Sequence, residues 1–325
     1  MLPELYSQIA FVILGLAILL VAGDLLVRGA VGLAAALKIP ALLVSLTIVA
    51  FGTSAPELVV TVQAVLSGND GIALGNIIGS NIANIFLVLG IPAIIYPVTT
   101  HVLGLRRHAV IMLIATAVFL GAAYGPGEIA FEFGTFLFAC IVAYVVYMWV
   151  RASQGASDDP VLDEVEEYKD VGGLSLKTLA FLAAGLIGLP LGAHLLVTNG
   201  ADLAAGLGVR EELIGLTIIA FGTSLPELAT VFAAAIHKKS DVAIGGVVGS
   251  NIFNIFAVGG AAGLAGTAIF DGASLTLDLP IMTVAALILA VFILTRRDIG
   301  RLWGLIFTAA YVLFIVLLAS NAGVF

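Results

Sequence analysis

The stretch AFGTSAPELV, residues 50–59, recurs with two changes as AFGTSLPELA, residues 220–229. Each copy lies in a long apolar run and contains one proline and one glutamate. A proline within a helix removes a backbone hydrogen bond, and a glutamate at the centre of a bilayer is energetically costly. Because such a costly segment occurs twice, we expect it to serve a function rather than packing.

The composition is that of an integral membrane protein. Of the 325 residues, 61% are hydrophobic and 10% are charged, whereas soluble domains are about 25% charged. The mean hydropathy is +1.19. Cys140 is the only cysteine, which excludes an intramolecular disulfide and a cysteine-based metal site. The N-terminal MLPELYSQ has no basic region, so a cleaved signal peptide is not expected. Seven of the acids cluster within 158–170, and the net charge of −8 does not indicate nucleic-acid binding.

Ten apolar segments are long enough to span a bilayer. Their approximate bounds are 8–27, 40–66, 72–96, 108–124, 129–150, 176–198, 211–236, 242–266, 277–295 and 302–321. With these spans, 12 of the 13 Lys and Arg fall on one side of the membrane and only Arg210 falls on the other. The positive-inside rule makes the crowded side cytoplasmic. Both termini are then predicted outside the cell membrane, and the acidic linker 152–175 is predicted in the cytoplasm.

The repeated decapeptide belongs to a longer internal repeat. Residues 47–90 align without a gap with 217–260, and 22 of the 44 positions are identical. The offset of 170 residues contains five spans, so the second copy enters the membrane from the opposite side. The sequence therefore predicts an all-α integral membrane protein of ten transmembrane helices, arranged as two inverted-topology five-helix repeats, 1–151 and 176–325. Such repeats place a binding site near the bilayer midplane.

The repeated motifs offer hard oxygen ligands. In each decapeptide four positions share one helical face. They are Ala50, Thr53, Ser54 and Glu57 in the first copy, and Ala220, Thr223, Ser224 and Glu227 in the second. The prolines at 56 and 226 deprive the carbonyls of Gly52 and Gly222 of their helical partners. The following span adds Ser80 and Asn84, and Ser250 and Asn254. Carboxylate, hydroxyl and carbonyl oxygens suit Ca²⁺ and Na⁺, whereas zinc and copper prefer His or Cys.

Glu57 and Glu227 are the central pair. Two carboxylates that face each other within a membrane repel, and bound cations relieve that penalty. The pair balances one Ca²⁺ or two Na⁺, but not both loads together. Mutually exclusive occupancy of one site is the physical basis of exchange.

These residues resemble the cation/calcium exchangers, specifically the sodium/calcium exchanger branch and its prokaryotic members. The resemblance rests on AFGTSAPE with GSNIANI, and on AFGTSLPE with GSNIFNI, which look like the two alpha-repeats of the family. It implies a secondary active antiporter that exchanges Ca²⁺ for Na⁺ by alternating access, with the first and sixth spans sliding across the core. The transported ions are its only implied ligands, so neither a cofactor nor an enzymatic activity is expected.

The resemblance also implies a role for each motif residue. Glu57 and Glu227 would bind both ions, and the carbonyls of Thr53 and Thr223 would join them at the calcium site, with their hydroxyls contributing. The remaining implied ligands form two flanking sodium sites and the centre. They are the Ala50 carbonyl, Ser54 and Ser80; the Ala220 carbonyl, Ser224 and Ser250; and, at the centre, Asn84 and Asn254. Some members of the family carry Asp where this chain has Asn254, so a proton-coupled or potassium-dependent antiporter is the alternative.

Other interpretations were weighed against these. Asp24 is a membrane carboxylate that is expected to pair with Arg28 one turn later. The acidic run 158–170 lacks a calcium-binding loop motif and is interpreted as a solvated linker. An intramembrane enzyme would need a base for Ser54 or Ser224, and neither motif-bearing span contains a histidine. A channel would conduct without a counter-ion, which distinguishes it from an exchanger.

Overall fold

The computed structural model describes residues 2–153, 175–206, 220–272 and 274–321. Most of the acidic linker and the first part of the predicted seventh span lie outside these residues. The described helices are α1 (Leu2–Leu37), α2 (Ala41–Thr53), α3 (Ala55–Leu66), α4 (Asp70–Ile95), α5 (Leu105–Tyr124), α6 (Phe131–Ser153), α7 (Leu176–Gly206), α8 (Leu225–Ile236), α9 (Ser240–Ala265), α10 (Ser274–Thr295) and α11 (Arg301–Asn321). A short helical turn, Ala220–Gly222, precedes α8.

The described helices agree with a multi-pass membrane protein. Eight of them are long and apolar enough to cross a bilayer, and α2 and α3 together form a ninth, bent span. The helix α8 is apolar but has only 12 residues, because the rest of the predicted span 211–236 lies outside the described part of the chain. The first and sixth spans are longer than predicted, since helical structure continues through Asp24 and Arg28 in α1 and through Asn199 in α7.

The repeated decapeptide is a broken helix rather than a continuous one. Ser54 interrupts the helix with φ −83° and ψ 4°, and α2 and α3 are bent by 43° at this position. Ser224 has nearly the same conformation, φ −84° and ψ 3°. In both copies the proline is in the first turn of the new helix, where its missing N–H is tolerated. The break therefore directs a helix N-terminus into the protein interior.

A second irregularity follows in the next span of each copy. The π-helical segments Asn84–Val88 and Asn254–Val258 begin at the two predicted site asparagines and interrupt α4 and α9. Such π-bulges are rare and occur frequently at functional sites. Their position, 170 residues apart, was not predicted from the sequence.

The helices α4 and α9 form the centre of the molecule. The apolar stretch of α9 is buried along its whole length, and that of α4 is mostly buried. A Cβ atom on Gly249 would lie 2.8 Å from the Ala50 Cβ, and one on Gly245 would lie 2.8 Å from Leu42 Cδ1. These contacts agree with the packing role predicted for the glycine pair in α9. For Gly75 and Gly79 the same construction meets no atom of the described residues.

The helices α1 and α7 pack closely along each other. A Cβ on Gly185 would lie 2.6 Å from Leu26 Cβ, and one on Gly15 would lie 2.7 Å from the Leu196 nitrogen. A Cβ on Gly23 would lie 2.7 Å from the Ala229 carbonyl oxygen, so α1 also contacts α8. Small residues are typical where membrane helices approach at backbone distance. The first and sixth spans thus form a pair alongside the motif-bearing helices.

Two short backbone pairings join the connections at opposite ends of α5. Glu128–Ile129 pairs antiparallel with Ala268–Ile269, with Ile129 opposite Ala268. Val98 forms a bridge with Ile299 through two hydrogen bonds of 3.0 Å. Adding 170 to 98 and to 129 gives 268 and 299, so one pairing is the counterpart of the other under the repeat offset.

Candidate cation-binding site

The two glutamates occupy equivalent positions at the beginnings of helices. Glu57 lies in the first turn of α3 and Glu227 in the first turn of α8. Their exposed fractions are 1% and 2%. The N-terminus of a helix carries a partial positive charge, which favours a carboxylate there. The two carboxylates lie close enough for their charges to interact. The helix breaks therefore bring two acids together within the buried interior.

Hydroxyl groups connect the two acid-bearing segments. Ser54 Oγ donates a hydrogen bond to Glu227 Oε1 at 3.2 Å, and Ser80 Oγ donates to Glu57 Oε1 at 3.4 Å. The hydroxyls of Thr53 and Ser250 lie 3.4 Å apart as a hydrogen-bonded pair. Ser54 and Thr53 thus reach from the first motif copy to residues of the second. These contacts unite residues that are up to 197 positions apart in sequence.

Unpartnered polar atoms concentrate at these residues. Seven buried side-chain atoms of the described residues have no hydrogen-bond partner, and six of them belong to predicted site residues. They are Glu57 Oε2, Asn84 Oδ1, Ser224 Oγ, Glu227 Oε2, and both amide atoms of Asn254. Buried polar groups in proteins are nearly always paired. Five of these six atoms are oxygens, which are the donors that a hard cation requires.

The remaining predicted residues lie in the same region or at its edge. Ala50 is buried, and its carbonyl accepts bonds from the Ser54 nitrogen at 3.0 Å and the Thr53 hydroxyl at 3.3 Å. Thr223 is half-buried, and Ala220 begins the short turn before Ser224. The helix α3 packs against the segment Asn254–Val258, and α8 packs against Asn84–Val88. The asparagine-bearing segments therefore adjoin the helices that carry the acids.

Two asparagines that the sequence analysis did not single out join this network. Asn84 Nδ2 donates to Asn251 Oδ1 at 3.0 Å, and Asn251 Nδ2 is directed at the Asn81 carbonyl at 3.5 Å. Asn81 and Asn251 are buried and are identical in the two repeats. Their repetition within the GSN stretch was the signal that could have identified them.

Asn76 is a third residue that was missed, and it contacts both copies of the motif. Its Nδ2 donates to the Glu57 carbonyl at 3.1 Å and to Thr61 Oγ1 at 2.9 Å. Its Oδ1 accepts a bond from Thr223 Oγ1 at 3.4 Å. The repeat counterpart of Asn76 is Gly246, so a comparison of the two copies could not identify it. Asn76 holds the first turn of α3 against the second motif.

The donor set is suited to hard cations rather than to catalysis. Among the described residues, no three His, Cys, Asp or Glu side chains lie together as a metal-binding group. His108 Nδ1 pairs with the Tyr144 hydroxyl at 3.1 Å, and His237 pairs with Asp24. Asp24 also contacts Arg28 at 2.9 Å, as predicted. None of the bonds formed by these histidines involves Ser54 or Ser224, so the serines have no base beside them.

Buried carboxylates and oxygen donors at paired helix breaks, within a membrane-spanning bundle, define a membrane cation transporter. The model of the family described as "Sodium/calcium exchanger protein" matches residues 7–152 and 177–319. The chain therefore belongs to the sodium/calcium exchanger family and is a transporter of ions, not an enzyme.

Full-length relatives support this assignment. The inner membrane protein YrbG of Escherichia coli is 33% identical over 313 residues, which cover 95% of this chain and 96% of YrbG. The sodium/calcium exchanger MaX1 of Methanosarcina acetivorans is 31% identical over 339 aligned positions, covering 94% and 97% of the two chains. The solved structure of the sodium-calcium exchanger NCX_Mj superposes with a TM-score of 0.80 at 29% identity, covering 95% of this chain and 98% of that one.

Replacement of Asn76 by alanine is expected to destabilise the protein. The substitution leaves the Thr223 hydroxyl and the Glu57 carbonyl without their partner, and an unpaired buried group costs about 1–3 kcal/mol. The thermal midpoint of purified Asn76→Ala in detergent should fall below that of the wild type. Asn199→Ala is the matched control, because Asn199 bonds only to the Leu195 carbonyl of its own helix. Equal midpoints for the two variants would contradict a linking role for Asn76.

Proposed function

We propose that the protein exchanges Ca²⁺ for Na⁺ across the membrane by alternating access at the buried oxygen site. The observation that carries this proposal is the group of unpartnered oxygens around Glu57 and Glu227. The printed names of MaX1 and NCX_Mj describe sodium/calcium exchange, and this chain covers nearly their full length. Their chemistry is therefore a reasonable expectation for the same fold with the same kind of donor set.

The charge of the site favours exchange over simple binding. Two carboxylates carry two negative charges into a buried region, and one divalent ion neutralises both. Two monovalent ions do the same, and the site then has no charge left for Ca²⁺. Simultaneous loading would leave excess positive charge in a medium of low dielectric constant, which is strongly unfavourable. Competition for the same two acids thus couples the two ion flows.

We assign the ligands in accordance with the expected family roles. Glu57 and Glu227 bind both ions, and the carbonyls and hydroxyls of Thr53 and Thr223 complete the calcium site. The flanking sodium sites use the Ala50 carbonyl, Ser54 and Ser80 on one side, and the Ala220 carbonyl, Ser224 and Ser250 on the other. Asn84 and Asn254 supply neutral amide oxygens at the centre. The hydrogen bonds from Ser54 and Ser80 to the acids support this grouping.

We further propose ten transmembrane helices in two inverted five-helix repeats, with both termini outside and the acidic linker in the cytoplasm. Support comes from the equal backbone angles at Ser54 and Ser224 and from the paired π-helical segments. The two strand pairings at opposite ends of α5 also follow the offset of 170 residues. An inverted repeat requires equivalent contacts at opposite faces of the membrane.

The test of this function is ion flux into proteoliposomes. An outward sodium gradient should drive uptake of radioactive Ca²⁺, whereas equal sodium on both sides should not. A channel would equilibrate Ca²⁺ without any gradient of a counter-ion. Replacing the sodium gradient by a proton gradient, or adding K⁺, examines the alternative coupling ions directly.

Glu57→Gln and Glu227→Gln should each reduce sodium-driven Ca²⁺ uptake to background. Each substitution removes half of the charge that balances a divalent ion while it preserves the shape of the side chain. Glu132→Gln serves as the control, because Glu132 is exposed in the first turn of α6. Unchanged elution on size exclusion would establish that the variants fold. Uptake near the wild-type rate in either glutamate variant would refute the central site.

Cysteines at equivalent loop positions should label from opposite sides of the membrane. Ser67 and His237 are related by the repeat offset and are both exposed. In a Cys140→Ala background, Ser67→Cys should react with an impermeant maleimide added outside cells, and His237→Cys should react only after permeabilisation. Labelling of both cysteines from the outside is incompatible with an inverted repeat.

Asn254→Asp should change the ion dependence of transport. The variant places a third carboxylate near the other two, and unit charges ~4 Å apart at an effective dielectric constant near 20 interact by about 4 kcal/mol. Either the new acid keeps a proton, which makes uptake sensitive to pH between about 5 and 8, or an additional cation such as K⁺ stimulates uptake. Flux assays across pH and K⁺ distinguish these results. A potassium requirement in the wild type would show that Asn254 does not set ion choice.

A further inference from the structure

A cavity of about 390 Å³ lies away from the oxygen site, at the ends of three membrane helices. One wall comes from α1 and another from the beginning of α7, and the third comes from the connection between α8 and α9. Its polar lining consists of Arg28, Ser175, Lys177, Thr178, His237 and Lys239. The cavity therefore joins the α1–α7 pair to the end of a motif-bearing helix.

The lining is strongly basic. Arg28, Lys177 and Lys239 are cationic, and His237 becomes so when protonated. None of the described lining residues is acidic. Asp24 contacts Arg28 at 2.9 Å and also contacts His237, so one carboxylate offsets part of this charge. A net positive cavity remains, because three cations surround it and Asp24 neutralises at most one.

The beginning of α7 adds a second feature that favours anions. Thr178 donates its backbone N–H to Ser175 Oγ at 3.1 Å, and the two hydroxyls lie 2.9 Å apart. Ser175 thus precedes the first turn of a 31-residue helix, whose N-terminus faces anions favourably. The remaining wall includes apolar side chains of Val27, Val31 and Phe181. Lys177 Nζ lies 5.5 Å from the centre of the Phe181 ring.

The repeat provides an internal comparison for this cavity. The basic residues Arg28, Lys177, His237 and Lys239 correspond at the offset of 170 to Thr198, Ser7, Ser67 and Asn69. All four counterparts are uncharged. The basic cavity therefore is not a consequence of the duplicated fold, since the fold repeats and the charges do not.

We propose that this cavity binds the phosphate headgroup of an anionic phospholipid. Basic pockets between transmembrane helices on the cytoplasmic side are suited to such headgroups. The position at helix ends, and the apolar residues beside the cations, fit a ligand with both a phosphate and acyl chains. A bound headgroup links α1 and α7 to the connection that follows α8.

The binding is tested with phosphatidylglycerol as the probe. Native mass spectrometry of the purified protein, titrated with this lipid, should show one retained molecule that survives delipidation better than phosphatidylcholine. Each cation removed near a headgroup weakens binding about fivefold, so Lys177→Gln/Lys239→Gln should weaken it roughly 25-fold. Lys177→Arg/Lys239→Arg should retain it. The control Arg107→Gln/Arg301→Gln removes two exposed cations that do not line the cavity and should have no effect.

Three further arms identify the source of the anion. Dioctanoyl phosphatidylglycerol should displace the retained lipid, while inorganic phosphate at the same concentration should not. Displacement by inorganic phosphate alone would overturn the lipid proposal in favour of a soluble anion. In a variant with the acids of 158–170 changed to amides, lipid binding that appears only after this change would identify that segment as the occupant instead. Equal retention of lipid by the wild type and the Lys→Gln variant would also refute the proposal.

The effect on transport rests on the proposed function and is measured separately. If α1 and α7 move relative to the core, a headgroup that ties them to α8 changes the exchange rate. Sodium-driven Ca²⁺ uptake in vesicles with phosphatidylglycerol should differ at least twofold from uptake in neutral vesicles, and Lys177→Gln/Lys239→Gln should abolish the difference. Loss of lipid binding without any change in uptake would refute the regulatory effect but leave the binding site. Absence of sodium-driven uptake in all vesicles would refute the exchange proposal alone.

Discussion

The burial of two carboxylates at one place in a membrane protein is the constraint on which the rest of this structure depends. Glu57 and Glu227 are almost completely buried. Their ionised forms are stable there only with compensating positive charge or hydrogen bonds. The protein provides part of this compensation through two helix N-termini and through the hydroxyls of Ser54 and Ser80. The second oxygen of each carboxylate has no partner among the described residues, and this is the part that transported cations would satisfy.

The helix breaks are the structural consequence of this constraint. An uninterrupted membrane helix would pair all of its inner backbone groups and would present no helix terminus at mid-depth. The proline of each motif removes one of these bonds, and the chain starts a new helix one residue after Ser54 or Ser224. The π-helical segments at Asn84 and Asn254 perturb the neighbouring helices at the matching level. Four irregularities in otherwise regular spans therefore meet around the acids.

The sequence predicted the parts of the site that are present twice. Glu57, Ser54 and Ser80 were identified because each has an identical counterpart, and their hydrogen bonds join them as a group. Asn76 was missed because its counterpart is Gly246, so the comparison of repeats gave no signal. The proline predicted a disturbed helix, but the bend of 43° depends on packing that no local pattern records. The bounds of α1 and α7 were underestimated for a related reason, since polar residues such as Asp24 are accommodated by partners on other helices.

The two halves share a backbone plan but differ in their contacts. Ser54 donates to Glu227, whereas its counterpart Ser224 has no partner for its hydroxyl. Asn76 joins Glu57 to Thr223, and the glycine at the equivalent position cannot form such a link.

These differences matter for alternating access. A perfectly symmetric inverted pair would have equal free energies in its two orientations, because exchanging the halves converts one state into the other. Contacts that occur in only one half remove this degeneracy and favour one orientation, and ion binding must supply the difference to reach the other. The Asp24–His237 contact and the basic cavity beside it are further features of only one half. The asymmetric side chains, rather than the repeated motif, therefore determine the resting orientation of the protein.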